Sequence, residues 1–498
     1  MNVKNKYIVN SVYKFRNDIH RVIITNQKNY FLDDYEEGTF AEGFSSIIHP
    51  YVAYIFSFFD GTNTILDVYN SLKDTLEIPI DEFAATISNF IENRETQVFN
   101  VGDSYNSIPQ NFLIKSRPSE VRNDLQILFD IDKMIQHLDL KTVRNYVPNE
   151  MTLMLNNTCC TNCIYCYADR GTIISGLFPF KRIQEIIKEA NELQMRDIGI
   201  DGGDFFLYPH WHELLLELKK YEYRPLISTK YPITKDIVDK LLAVGVKKIQ
   251  LSLDSIRNPE IQQILKVKED YLPKVIKGIK MLNEAGIEIT LKPVITNFND
   301  STDSIEDLIS FTTQFENIQD IYLTPADYSQ FKVFDYHSSR TKLKSIEEYI
   351  PKLKSKYQKN IIMLGYGSDD SIDNKVKMFG KRSTCSGNVS TFFVLPDGKV
   401  TLCEQLYWHP FFIIGDLNHQ SIMEMWNSEK ALSLWNFSQE EVQDSSPCKK
   451  CDIFEDCRRG QGNCWRMAVV TYGPEFYDYP SPNCPRAPKI TKNMFIPE

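Results

Sequence analysis

From Met151 to Tyr328 the chain alternates short β-type runs with amphipathic helical stretches, and no other feature restricts its fold as much. The runs are Thr152–Leu155, Ile198–Ile200, Pro225–Thr229, Lys248–Leu253, Ile287–Lys292 and Asp320–Thr324. Between them lie Lys181–Leu193, His212–Tyr221, Thr234–Ala243, Tyr271–Ala285 and Ser304–Phe315, each with apolar residues at helical spacing. Repeated strand–helix units of this length predict a parallel sheet covered by helices. Six units are too few to close an eight-stranded barrel, so an open, partial barrel is expected, with its site at the C-terminal ends of the strands.

The loop after the first run holds the second constraint. "NNTCCTNCIYCYADR", Asn156 to Arg170, places four cysteines in eight positions. The chain has 11 cysteines, none before Cys159 and none between Cys166 and Cys385. No apolar run is long enough to span a bilayer, and the N-terminus lacks the features of a signal peptide. A cytoplasmic location is therefore expected. Reducing conditions there disfavour disulfides and favour metal binding or thiol chemistry. Three thiolates at Cys159, Cys163 and Cys166, with Cys160 as a bystander, suit a cubane iron–sulfur cluster with one iron left open. A closed zinc site wants four ligands, and with Cys160 as a bystander no partner cysteine or histidine is near in sequence.

Cys159-x3-Cys163-Ile-Tyr165-Cys166 resembles the signature of the radical S-adenosylmethionine (SAM) enzymes, including the aromatic residue before the last cysteine. "DGGDFFLYP" resembles the Gly-Gly-Glu-Pro stretch of that family, with Asp204 in place of Glu and Phe205 in place of Pro. The resemblance implies SAM contacts at Tyr165, Gly202, Gly203 and Asp204. It extends to "LISTK" and "QLSLDS", implying roles for Thr229, Ser252 and Asp254, and to Val294 beside the adenine. A polar residue at a strand end also serves commonly as a cap or turn, and that plainer reading stays open for these strand-end positions.

The C-terminal cysteines form a separate group: Cys385, Cys403, Cys448, Cys451, Cys457, Cys464 and Cys484. A zinc ribbon would use Cys448 to Cys464 and leave the other three unexplained. The pattern resembles the SPASM extension of radical SAM peptide maturases, which carries two auxiliary [4Fe-4S] clusters. That resemblance implies one cluster on Cys448, Cys451, Cys457 and Cys484. It implies a second on Cys385, Cys403 and Cys464, whose fourth ligand is not identified, for three clusters in all. One spacing departs from the pattern: the usual three residues before Cys464 have become six, Arg458 to Asn463.

The first 105 residues carry 15 acidic against 8 basic side chains, and the chain as a whole has a net charge of −10. Short strands at Val12–Phe15, Arg21–Thr25 and Asn29–Leu32 precede three helices. The first two helices are separated by an Asp60-Gly61 turn, and the third spans Asp81–Asn93. This predicts a winged-helix-like α+β shape. DNA recognition needs basic and amide side chains toward a groove, whereas "TILDVYNSLKDTLEIPIDEF" has one Lys against five acids. No nucleic-acid or membrane partner is expected. The segment instead resembles the PqqD-like element of peptide maturases, which holds a precursor's leader as an added strand, here beside Tyr30–Leu32.

The expected organisation is thus 1–105 leader-peptide recognition element, 106–150 helical linker, 151–330 partial (β/α)6 TIM-like barrel and 331–498 cysteine-rich iron–sulfur domain. The resemblance implies a maturase of a ribosomally made peptide, forming thioethers as in sactipeptide and ranthipeptide synthases through a 5′-deoxyadenosyl radical. A flavodoxin- or ferredoxin-type protein would donate the electron. Carbon–carbon crosslinking, residue oxidation of the sulfatase-maturase kind, and a zinc-stabilised DNA-binding regulator are the alternatives.

Overall fold

The computed structural model describes residues 5–26, 44–101, 104–117, 120–125, 131–168, 176–329, 331–332, 335–364, 379, 385–461 and 463–489. They divide into two compact units. One is formed chiefly by the chain up to Glu150 with Ala190–Asp197, and the other by Met151–Glu189 and the chain from Ile198 onward.

In the first unit, helices Pro50–Ser57, Ile65–Leu76 and Ile80–Ser88 pack with two small sheets and a hairpin around a core that includes Phe15, Phe56, Phe59, Phe90 and Phe112. The second helix begins where expected, because Thr64 and Asp67 cap one another's backbone N–H groups. The stretch before it is not the expected turn. Asp60–Thr64 is a strand, paired with Lys6–Val9 across a register shift. Gly61 makes this possible: it has φ +96°, and a Cβ there would lie 2.2 Å from the Glu120 carbonyl oxygen. The strand expected at Asn29–Leu32 lies outside the described residues.

The segment expected as a helical linker is largely extended and belongs to this unit. Gln97–Val101 pairs with Ser104–Ile108, and Leu113–Lys115 completes the sheet beside Lys6–Val9, which leaves Ile131–Gln136 as a short helix. Its last residues are clamped by buried charge. Asp18 accepts from Arg21 Nε at 2.8 Å and from the Val147 amide at 2.9 Å, while Arg16 Nη1 donates to the Val147 and Pro148 carbonyls.

In the second unit all six expected strands are present. Ile227–Thr229, Lys248–Leu251, Glu288–Leu291 and Asp320–Pro325 pair in parallel in that order. Glu150–Met154 pairs with Asp197–Asp201 in a different sheet, and among the described residues the strands do not close into a barrel. A further strand, Asn360–Met363, lies parallel to Asp320–Pro325 after helix Arg340–Tyr357. The βα alternation therefore runs past residue 330. The run NIIM lies beyond Tyr328, where the alternation read from sequence stops.

The sheet of Glu150–Met154 continues on its other side into Thr391–Val394, Lys399–Thr401 and Ile413–Asp416. Met154, Leu395 and Tyr407 form one apolar cluster there. Helix Phe180–Glu192 fastens the same join: Arg182 donates to the Leu417 and Gln420 carbonyls, and Glu189 accepts from the Ile422 amide. No helix of the described residues is long and apolar enough to cross a membrane.

Candidate iron–sulfur and SAM site

The cysteine loop is held at the C-terminal strand ends by backbone contacts. Asn156 is its hinge pin: its carbonyl accepts from the Gly203 amide at 2.6 Å, its Nδ2 donates to the Asp204 carbonyl, and its Oδ1 accepts from the Thr158 amide. The Asp204 amide donates in turn to the Thr158 carbonyl at 2.7 Å. These bonds require close approach, since a Cβ on Gly203 would lie 2.3 Å from both Asn156 Oδ1 and the Thr158 oxygen. Gly202, at φ +106°, turns the chain into position. Farther along, the Asn162 and Ile164 amides donate to the Leu265 and Ile264 carbonyls, and Ser329 Oγ donates to the Cys166 carbonyl at 2.6 Å.

Around this loop the expected SAM contacts converge on one buried polar network. Asp204 accepts from Thr229 Oγ1 at 3.0 Å, from the Lys230 amide at 3.2 Å and from the Phe206 amide at 3.2 Å. Its carboxylate is thus committed to holding the strand ends together. Asp254, fully buried, accepts from Tyr165 Oη at 2.6 Å, from Lys230 Nζ at 3.2 Å and from the Val294 amide at 2.9 Å. Tyr165 and Val294 also share an apolar cluster with Ile164 and Tyr336. The Ser252 amide donates to the Thr229 carbonyl and its own carbonyl accepts from Lys230 Nζ; its hydroxyl has no partner among the described residues.

Lys230 is the centre that sequence reading passed over, although it ends the quoted "LISTK". Its ammonium also stands 5.5 Å from the Tyr165 ring centroid. Burial pushes the Cys163 thiol up, and Lys230 works against that shift. Cys160 has Cys159 and Cys163 as electrostatic neighbours, its thiol 3.8 Å from the Lys230 carbonyl and pushed up to about 12 by burial and then by Asp204.

Beside Cys166, Tyr167 donates from Oη to Asp201 at 3.4 Å. Asp201 keeps exposed surface yet is surrounded by protein, and that burial, with a contribution from Glu404, pushes its carboxyl up to about 6. None of Asp201, Tyr167 and Glu404 carried a sequence signal, because they meet only through the fold.

Among the described residues no three His, Cys, Asp or Glu side chains are grouped to hold a single metal ion. The donor chemistry nevertheless fits clusters. All 11 cysteines are free thiols. Cys163 and Cys166 are electrostatic neighbours. Cys385 and Cys403 each feel Cys464 and Glu404, and Cys448 feels Cys484. Burial is the largest cause raising the Cys163, Cys385, Cys403 and Cys448 thiols, so ligation there would release protons to the solvent.

An open α/β strand array thus carries the cysteine loop at its strand ends and is followed by a cysteine-rich C-terminal region. Residues 153–312 match the model of the Radical SAM superfamily, and residues 385–452 match SPASM, an iron-sulfur cluster-binding domain. Over 272 residues the chain is 26% identical to a "Probable GTP 3',8-cyclase" of Saccharolobus islandicus, covering 53% of this chain and 77% of that protein. The fold is similar to that of Streptococcus suis SuiB bound to S-adenosylmethionine, with a TM-score of 0.62 at 15% identity over 96% of this chain and 99% of that one. The structure of SuiB bound to precursor peptide SuiA matches with the same TM-score of 0.62.

Proposed function

We propose that this chain is a radical SAM maturase that joins a cysteine sulfur to a carbon within a ribosomally made precursor peptide. The observation that carries the reading is the convergence of Tyr165, Thr229, Asp254 and Val294 on the loop of Cys159, Cys163 and Cys166. The likeness in fold to SuiB, solved with a precursor peptide, supports a peptide substrate.

Cys159, Cys163 and Cys166 would hold a [4Fe-4S] cluster that, when bound with SAM, supplies the 5′-deoxyadenosyl radical able to take hydrogen from an unactivated carbon. Gly202 and Gly203 keep the backbone low against the loop. The Ser252 hydroxyl is the one strand-end donor still free for a ligand, while Thr229 and Asp204 hold one another. Lys230 and Asp254 fix the Tyr165 ring, and Val294 packs beside it as the apolar wall for an adenine. Cys385, Cys403 and Cys464, and Cys448, Cys451, Cys457 and Cys484, would hold two auxiliary clusters.

In this reading the N-terminal unit is a winged-helix-like recognition element for the leader, working in the cytoplasm with a flavodoxin- or ferredoxin-type donor. The leader's expected partner strand at Tyr30–Leu32 lies outside the described residues. The test is anaerobic co-expression with a small cysteine-bearing peptide encoded beside the gene, followed by mass spectrometry. Loss of two hydrogens per crosslink with no alkylatable thiol is expected, and Cys163→Ala abolishes it. Retained thiols with the same mass loss would replace the thioether by a carbon–carbon bond.

A further inference from the structure

The six-residue gap before Cys464 has a structural purpose. Asp456–Gln461 winds as a π-helix, the form that absorbs extra residues within a helical segment and is frequent at functional sites. It carries Arg458 back over the neighbouring cysteines. Arg458 Nη2 donates to the Asp478 carbonyl at 2.9 Å and lies 3.9 Å from Cys448 Sγ. Its guanidinium stands 5.0 Å from the ring centroid of Trp465, the residue after Cys464. Its Nη1 is buried with no acceptor among the described residues. A second arginine meets the same set, its guanidinium also paired with the exposed Asp452. Arg486 Nη1 donates to Cys451 Sγ at 3.1 Å, and its amide donates to Cys484 Sγ at 3.4 Å.

Three of the four thiols in this set therefore meet an arginine N–H. At the Cys385, Cys403 and Cys464 set the neighbour has the opposite sign: Glu404 Oε2 lies 3.9 Å from Cys403 Sγ. Hydrogen bonds to cluster sulfurs and nearby positive charge favour the reduced, more negative state, whereas a carboxylate disfavours it. Resting on the proposed cluster ligation, we infer that Arg458 and Arg486 make the cluster of Cys448, Cys451, Cys457 and Cys484 the higher-potential of the two auxiliary centres. The lengthened gap is the device that delivers Arg458.

The test is a redox titration of the anaerobically reconstituted full chain, followed by electron paramagnetic resonance. The signal that disappears in Cys484→Ser identifies the cluster concerned. In Arg458→Gln and Arg486→Gln its reduced-to-oxidised ratio at fixed potential falls about tenfold, a shift of about 59 mV for one electron, while the other signals stay put. Iron and sulfide content equal to the parent shows that the variants fold and load. Should Arg458→Gln lose iron, the more exposed Arg486→Gln carries the measurement. An unmoved potential in a loaded Arg486→Gln chain overturns the inference, as does a parent in which this cluster is reduced after the Cys385 set. If Cys484→Ser and Cys451→Ala keep the parent's full iron content, it is the cluster ligation that fails.

Discussion

At the scale of single residues, the site depends on a lysine that replaces solvent around a buried carboxylate. Asp254 has no exposed side-chain surface, and Lys230 is its one cationic partner at 3.2 Å. Removing one member of a buried ion pair costs about 3–5 kcal/mol, because the remaining charge stays desolvated. Lys230→Met should lower the urea midpoint of the apoprotein accordingly. Adding Asp254→Asn to that variant should recover part of the loss, and no recovery would show that packing rather than charge was removed. Lys230 was absent from the sequence reading for a physical reason. Nothing in a linear pattern tells whether a lysine after a strand turns to solvent or folds back on the sheet. The same holds for Asn156, two of whose three bonds join segments about 48 residues apart.

At the scale of elements, the helix Arg340–Tyr357 is held to Thr302–Thr312 by one carboxylate. Glu306 accepts from Lys356 Nζ at 2.7 Å, from Tyr357 Oη at 2.9 Å and from Tyr349 Oη. These donors hold its carboxyl down at about 2, below the ordinary 4.5. A lowered acid adds stability that is present above its unfolded pKa and lost as pH falls through the folded one. Glu306→Gln should therefore melt below the parent at pH 7. The two melting temperatures should converge as the pH approaches 2, and a difference independent of pH would point to geometry instead. The Ser304–Phe315 helix was legible from its spacing, and so were the strands around it. The join to Arg340–Tyr357 was not, because it lies beyond Tyr328, where the alternation read from sequence stops.

At the scale of the whole molecule, the proposed function places ten of the 11 cysteines on three clusters and leaves Cys160 aside. Reconstituted protein should hold about 12 iron atoms per chain, and replacing Cys159, Cys163 and Cys166 together by Ala should remove about four. Iron analysis against protein concentration checks both values, and a chain that keeps all its iron after the replacement contradicts the assignment. The cysteine groups were readable in sequence because ligand spacing is local. The meeting of Asp201, Tyr167 and Glu404 was not, since Asp201 ends the strand Asp197–Asp201 and the other two lie in loops far apart in sequence. The N-terminal helices were readable from their caps, whereas the strand Asp60–Thr64 was hidden by a glycine that ordinarily marks a turn.

The strand Glu150–Met154 has hydrogen-bonded neighbours on both sides, Asp197–Asp201 and Thr391–Val394. The second of these belongs to the C-terminal cysteine region. A graft that exchanged this region for another would have to reproduce the register of that pairing, or leave a bare strand edge open to self-association. The strand most exposed by such surgery is the one leading into Cys159. In this chain the C-terminal region and the strand leading into the cysteine loop share one sheet, so neither can be exchanged alone.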